Sequence, residues 1–206
     1  MEVDDEATLP SGVSVDVKAL YVEVLRLTPG HAHARAWNNL ASVLRDGERV
    51  RLWSGDTFDA REMYIAAIAV DPQYAIALYN AAMTLTEPSE WVALPDGRRL
   101  DKLLLLLDAF RCDAELVPAM VELARCMIAQ SPTLVVAHRD GRRMTAAELL
   151  TEALHVDAHH IDAYVQLAQW CERAGAAMVT MTDGRRLSPL ELLLEAVAHG
   201  GQRDAV

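Results

Sequence analysis

One glycine sets the frame of this chain. Gly12, Gly55, Gly97, Gly141 and Gly184 recur at intervals of 42–44 residues. Their neighbours recur with them. DGRRL fills Asp96–Leu100 and again Asp183–Leu187, and DGRRM fills Asp140–Met144. SGVSV at Ser11–Val15 and SGDTF at Ser54–Phe58 are looser copies. A fixed period of this size means a repeat array, in which each unit buries its apolar face against the next. Such an array offers a surface for binding.

Each repeat reads as a hairpin followed by a helix. VTM, TDGR and RLS, from Val179, flank an Asp-Gly pair, the usual signal for a two-residue type I′ turn with both central residues left-handed. VRLWSGDTFD from Val50, VALPDGRRLD from Val92 and VVAHRDGRRMT from Val135 are its equivalents. A lone two-stranded hairpin is marginal in water, so these must lean on helices or on one another. A helix start follows each one. Asp59 with Glu62, Thr145 with Glu148 and Ser188 with Glu191 form capping boxes, and Asp16 and Asp101 keep the cap without the glutamate. Stops follow at Thr28-Pro29, Asp71-Pro72, Asp113-Ala114 and Asp157-Ala158. A second helix then begins near Ala36, Ala77, Ala119 and Ala163, with apolar residues three and four apart. Ala41, Ala82, Ala124 and Ala168 let helices approach closely.

Read as second helix, hairpin and following helix, the unit resembles the tetratricopeptide repeat. Trp37-Asn38-Asn39-Leu40-Ala41 and Tyr164-Val165-Gln166-Leu167-Ala168 match the first half of that pattern, with Ala in place of Gly. Ala60, Tyr64, Ala67 and Pro72 match the second half, as do Ala146, Leu150, Ala153 and Ala158 without the proline. The period exceeds the family's ~34 residues, and the excess falls between the two helices, where the hairpin sits. The resemblance implies a mainly α fold, an α-α superhelix (a tetratricopeptide-like solenoid) with short β-hairpins along one edge. The expected organisation is a polar acidic segment over 1–11, one array over 12–200 and a tail over 201–206.

The family's first helices line a concave groove that takes peptides or helices. By resemblance the groove residues are Arg35, Asn38, Asn39, Ser42 and Arg45; Ile76, Tyr79, Asn80 and Met83; Val121, Glu122, Arg125 and Ile128; and Asp162, Val165, Gln166 and Gln169. Asn39 and Asn80 stand where a carboxylate clamp has its asparagines, but Pro118 and Glu122 replace the basic partners. The apolar set Ile76, Tyr79, Met83, Val121 and Val165 suits an amphipathic helix, or else packs neighbouring helices. Arg98, Arg99, Arg142, Arg143, Arg185 and Arg186 mark a basic hairpin edge. It could grip an acidic segment, or pair with nearby Asp and Glu.

The partner is therefore expected to be a protein or peptide, and the function that of a non-catalytic interaction scaffold or adaptor. A second reading is self-assembly: the first and last helices are more apolar than one buried stripe requires, and Leu192 is the candidate for a homodimer contact. A net charge of −11 argues against a sequence-independent grip on nucleic acid or on anionic lipid. No apolar run approaches the ~20 residues of a membrane span, and the acidic start resembles no secretory signal. Cys112, Cys126 and Cys171 form no CxxC pair, which fits a reducing, cytoplasmic setting. His155, His159 and His160 straddle a helix break and lack the spacing of a zinc helix. No cofactor or catalytic motif is expected.

Overall fold

The computed structural model describes residues 6–8, 14–27, 33–138 and 140–200. The chain forms two compact units, Met1–Leu105 and Leu106–Val206. In the first, strands β1 (Glu6–Thr8) and β2 (Ser14–Asp16) precede helices α1 (Val17–Leu27) and α2 (Ala34–Ser42). Then come β3 (Val50–Arg51), β4 (Thr57–Phe58), α3 (Ala60–Val70), α4 (Ala75–Met83), β5 (Trp91–Ala93) and β6 (Arg99–Asp101). Helix α5 (Lys102–Cys112) carries the unit boundary. The second unit continues with α6 (Val117–Gln130), β7 (Val135–Ala137), β8 (Arg143–Thr145) and α7 (Ala146–Val156), then α8 (Ile161–Ala174), β9 (Val179–Thr180), β10 (Arg186–Leu187) and α9 (Pro189–Gly200). Every strand pairs with its sequence neighbour, antiparallel, in a two-stranded sheet. The first hairpin begins at Glu6, inside the stretch set apart by sequence as a polar segment.

Each hairpin ends on, or one residue before, the cap of a helix. Asp59 and Thr145 complete capping boxes with Glu62 and Glu148. Ser188 does the same with Glu191: its Oγ accepts from the Glu191 N–H at 3.3 Å, and its own N–H donates to Glu191 Oε2 at 2.7 Å. Asp16 accepts from the Lys18 N–H, and Asp101 from the Leu104 N–H. Each such bond satisfies a backbone donor that would otherwise be orphaned, for about 1 kcal/mol. Helices α3 and α7 stop at Val70 and Val156, ahead of Asp71-Pro72 and Asp157-Ala158. The Thr28-Pro29 stop lies outside the described residues.

The turns depart from the type I′ expectation. The Leu94 N–H donates to the Arg98 carbonyl at 2.8 Å and the Gly97 N–H to the Leu94 carbonyl at 2.9 Å. Pro95 and Asp96 are therefore the central residues, and Gly97, left-handed at φ 86°, closes a three-residue loop as a bulge. Leu52–Asp56, His138–Arg142 and Met181–Arg185 repeat both bonds within 0.1 Å. The residue before each glycine places a side-chain oxygen on the loop. The Asp96 carboxylate accepts from the Arg98 N–H at 2.9 Å and from Arg98 Nε at 2.7 Å, and Ser54 Oγ accepts from the Asp56 N–H at 3.4 Å, so the aspartate–arginine pair braces the wider loop without being required for it. Asp140 with Arg142 and Asp183 with Arg185 do likewise.

Alternate hairpin residues turn inward, as the period of two requires. Val92, Leu94 and Leu100 are buried in one hairpin, Val136 and Met144 in the next, and Val179, Met181 and Leu187 in the last. Phe58 meets Trp37 with ring centroids 5.4 Å apart, and Phe110 meets His138 at 5.0 Å. In the first unit α2, α3 and α4 pack in sequence around Leu40, Met63, Ile68 and Leu78. In the second, α6, α7, α8 and α9 do so around Leu123, Met127, Leu149 and Leu192. Ala41, Ala82, Ala124 and Ala168 are all buried where helices approach. Cys171 is buried, which pushes its thiol up, whereas Cys126 is half-buried and Cys112 exposed.

Candidate partner-binding surface

The first helix of each tetratricopeptide-like pair corresponds to α2, α4, α6 and α8. In the first unit, α4 presents Ile76, Tyr79, Asn80 and Met83, spaced to share one face. Ile76 and Met83 are exposed, and Tyr79 and Asn80 half-buried. On α2, Arg35 and Ser42 are exposed, Asn39 is half-buried and Asn38 is buried. Asn38 therefore offers no groove surface, contrary to the sequence expectation. Its Oδ1 accepts from Asn80 Nδ2 at 2.9 Å, its Nδ2 donates to Asn39 Oδ1 at 3.2 Å, and Asn39 Nδ2 reaches the Tyr21 hydroxyl at 3.4 Å. A buried amide needs such partners. The asparagines that suggested a carboxylate clamp instead bond α4 to α2 and α2 to α1.

Beside this face lies an open cleft of about 500 Å³, lined by the end of α2, residues 44–48, the start of α3 and the end of α4. Ser42, Arg45, Asn80, Met83 and Tyr64 contribute to it. Its charges are arranged by internal bonds. Arg61 donates to the Thr84 carbonyl at 2.5 Å and to Thr84 Oγ1 at 3.1 Å, satisfying acceptors at the end of α4. Glu48 accepts from the Arg45 N–H and from Lys18 Nζ, both at 2.9 Å, and these two bonds hold its carboxyl below the usual range. Arg61 and Glu48 thus shape the walls, and Ser42, Arg45, Asp46, Met83 and Thr86 are exposed at the mouth.

The second unit treats the equivalent face differently. Val121, Glu122 and Gln166 are buried, Val165 is half-buried, and Arg125 and Gln169 are exposed. Val121, Glu122 and Gln166 are thus corrections to the groove assignment: each packs inside the unit. Glu122 is paired with Arg125, which also reaches Asp162 at 3.4 Å, and Gln166 Nε2 donates to Asp162 Oδ1 at 3.4 Å. Four charged or amide groups from α6 and α8 are thereby bonded to one another, with one guanidinium set between two carboxylates. The apolar stripe predicted across both halves is exposed only at Ile76 and Met83.

The hairpin arginines fall into two sets. Arg98, Arg142 and Arg185 are bound to their own turn aspartates, and Arg185 also reaches Glu195 at 3.0 Å. The backbone N–H of each arginine, followed by its guanidinium, lowers the Asp96 and Asp183 carboxyls; Asp140 is held far below its usual value by the Arg142 N–H and by His138. These three arginines therefore brace turns. Arg99 lies over the Trp91 ring at 4.2 Å. Arg143 and Arg186 are exposed on the outward faces of their hairpins.

Leu192, the residue expected at a self-association surface, is fully buried between α9 and its own unit. Its neighbours Leu190, Leu193, Leu194 and Val197 are the exposed ones. A helix of period 3.6 places Leu190, Leu194 and Val197 on the side opposite Leu192, with Leu193 about a quarter-turn round from it. His160 accepts from the Ala163 N–H and so caps α8, a role its place in a histidine cluster did not suggest. Among the described residues, no group of three or more His, Cys, Asp or Glu is arranged to hold a metal ion, and no helix is long and apolar enough to cross a membrane.

The helix–hairpin–helix order and the packing of successive helices correspond to a known architecture. The fold is tetratricopeptide-like. The crystal structure of MamA, itself tetratricopeptide-like, superimposes with a TM-score of 0.55 at 15% identity, covering 93% of this chain and 91% of that one. At that identity the likeness is one of fold. No protein-family model matches the chain, and no curated protein matches it in sequence.

Proposed function

We propose that this chain is a non-catalytic interaction scaffold and that the exposed face of α4, with the cleft beside it, receives an amphipathic helix of a partner protein. The observation that carries the reading is the pairing of exposed Ile76 and Met83 with an open cleft of about 500 Å³. Ile76 and Met83 lie two turns apart on one helix face, the spacing at which an amphipathic helix sets its anchors. Methionine at such a position adapts to more than one apolar partner. In the second unit the equivalent face of α6 and α8 carries Arg125 with Glu122 and Asp162 instead of exposed apolar side chains at these positions.

A selection of displayed 16-residue peptides against the whole chain tests this, with a counter-screen against Met83→Glu. Enriched amphipathic sequences that lose binding to Met83→Glu by at least about tenfold support the reading, since a charge buried unpaired in an apolar contact costs more than 1.4 kcal/mol. Enriched peptides that bind both proteins equally would place the binding surface elsewhere.

A further inference from the structure

The last helix carries a face that the repeat itself marks as unfinished. Thr145 and Ser188 are equivalent caps, so α9 can be laid on α7 residue by residue. Leu190, Leu193, Leu194 and Val197 then take the places of Ala147, Leu150, Thr151 and Leu154. In α7 those four positions are 6%, 0%, 7% and 4% exposed. In α9 they are 67%, 39%, 59% and 72% exposed. Helix α7 packs against α6 on one side and α8 on the other; among the described residues α9 packs chiefly against α8, with a smaller contact to β10. The face that α7 gives to its following helix is therefore open on α9, and it is more apolar there: Leu replaces Ala at 190 and Thr at 194.

We infer that this face is covered by the same face of a second copy of the chain, in a two-fold symmetric antiparallel α9–α9 pairing. The residue pattern favours self-pairing. A two-fold axis between Leu193 and Leu194 sets Leu190 against Val197 of the second copy and Leu193 against Leu194 of the second copy. All four residues then meet apolar partners, as a self-complementary contact requires. The acidic residues of α9 do not meet: in this register Glu191 falls opposite Ala196, and Glu195 is turned to the core side and bound to Arg185. A contiguous apolar stripe without an internal charge is the usual mark of an association surface. The pairing lies wholly in the second unit and is independent of the α4 cleft.

The test is the solution mass of the intact chain by light scattering, from about 1 to 100 µM, for the natural sequence and for Leu194→Glu, Val197→Asp and Leu27→Glu. The natural chain is expected at twice 22.7 kDa in the upper range. Leu194→Glu and Val197→Asp are expected at one chain mass, the dissociation constant rising more than about a hundredfold because each copy buries a charge twice over. Leu27→Glu, an exposed site on α1, is expected to leave the dimer unchanged. Circular dichroism establishes that each variant is folded, and Val197→Asp serves if Leu194→Glu is not. A natural chain that stays monomeric throughout overturns the proposal, as does a dimer that survives both α9 variants.

Discussion

Replacing the turn glycines by alanine isolates the backbone cost of the hairpin loop. Gly97, Gly141 and Gly184 sit at φ 86°, 87° and 84°, and a methyl group built on any of them meets no atom within 4 Å. Steric collision is thus excluded, and conformation alone decides the outcome. An L-residue in the left-handed region loses about 1–2 kcal/mol. Part returns because alanine narrows the unfolded ensemble, by about 0.4–1 kcal/mol. The net loss expected for each alanine is about 1 kcal/mol. Asparagine tolerates the region better and should lose less than about half of that. Urea unfolding of Gly141→Ala, Gly184→Ala and the two asparagine variants reads this as a midpoint shift of about 0.5 M for alanine. Alanine tolerated as well as asparagine would refute the reasoning, and so would losses of more than about 3 kcal/mol, which would require contacts the open surroundings do not provide.

Other consequences can be measured on the same material. Asn80→Ala removes the donor to buried Asn38 Oδ1 and should cost about 1–3 kcal/mol, while Asn38→Leu combined with Asn80→Leu should cost less than the sum of the single changes in a double-mutant cycle. Ser188→Ala deletes the α9 cap and should lower stability by about 1 kcal/mol in chemical denaturation. Leu192→Ala, at a fully buried site, should cost about 2–5 kcal/mol in the same assay. The carboxyls of Asp96, Asp140 and Asp183 are held below their ordinary 3.8 in the folded chain. The stabilisation they contribute is therefore complete above that value and is lost as pH falls through the lower folded values. Thermal melting should show stability dropping below about pH 4, and a triple Asp→Asn variant should flatten that drop.

Much of the architecture was legible because it is set by local rules. A cap followed by glutamate three residues on declares a helix start wherever it occurs, and Asp59, Thr145 and Ser188 all obey. The turn differs from the expected type because Asp-Gly is compatible with a two-residue and a three-residue loop, and Ser54-Gly55-Asp56 adopts the wider one with no arginine after its glycine. Where the arginine is present it is legible as charge; its bond back to the aspartate is a matter of geometry. The candidate surface was harder still. A position such as Asn38 looks polar and therefore exposed, yet its amide has a partner 42 residues away on the neighbouring helix. Nothing local distinguishes it from Ser42, which is exposed one turn on. Leu192 stands in a run of three leucines in which the helix phase decides which faces water, and that phase comes from packing against α8.

The uniform loop closure has a consequence for how such a chain can vary. Four hairpins share the same closing bonds and the same left-handed glycine, yet among the described residues the two tip positions are Trp53-Ser54, Pro95-Asp96 and Thr182-Asp183 in three of them. The first tip position accepts an indole, a pyrrolidine ring or a hydroxyl without disturbing the stem beneath. Each of these three repeats thus carries one interchangeable residue on a fixed post. A small library randomised at positions 53, 95 and 182 would alter the outer chemistry of the molecule while leaving every helix cap and every core contact in place.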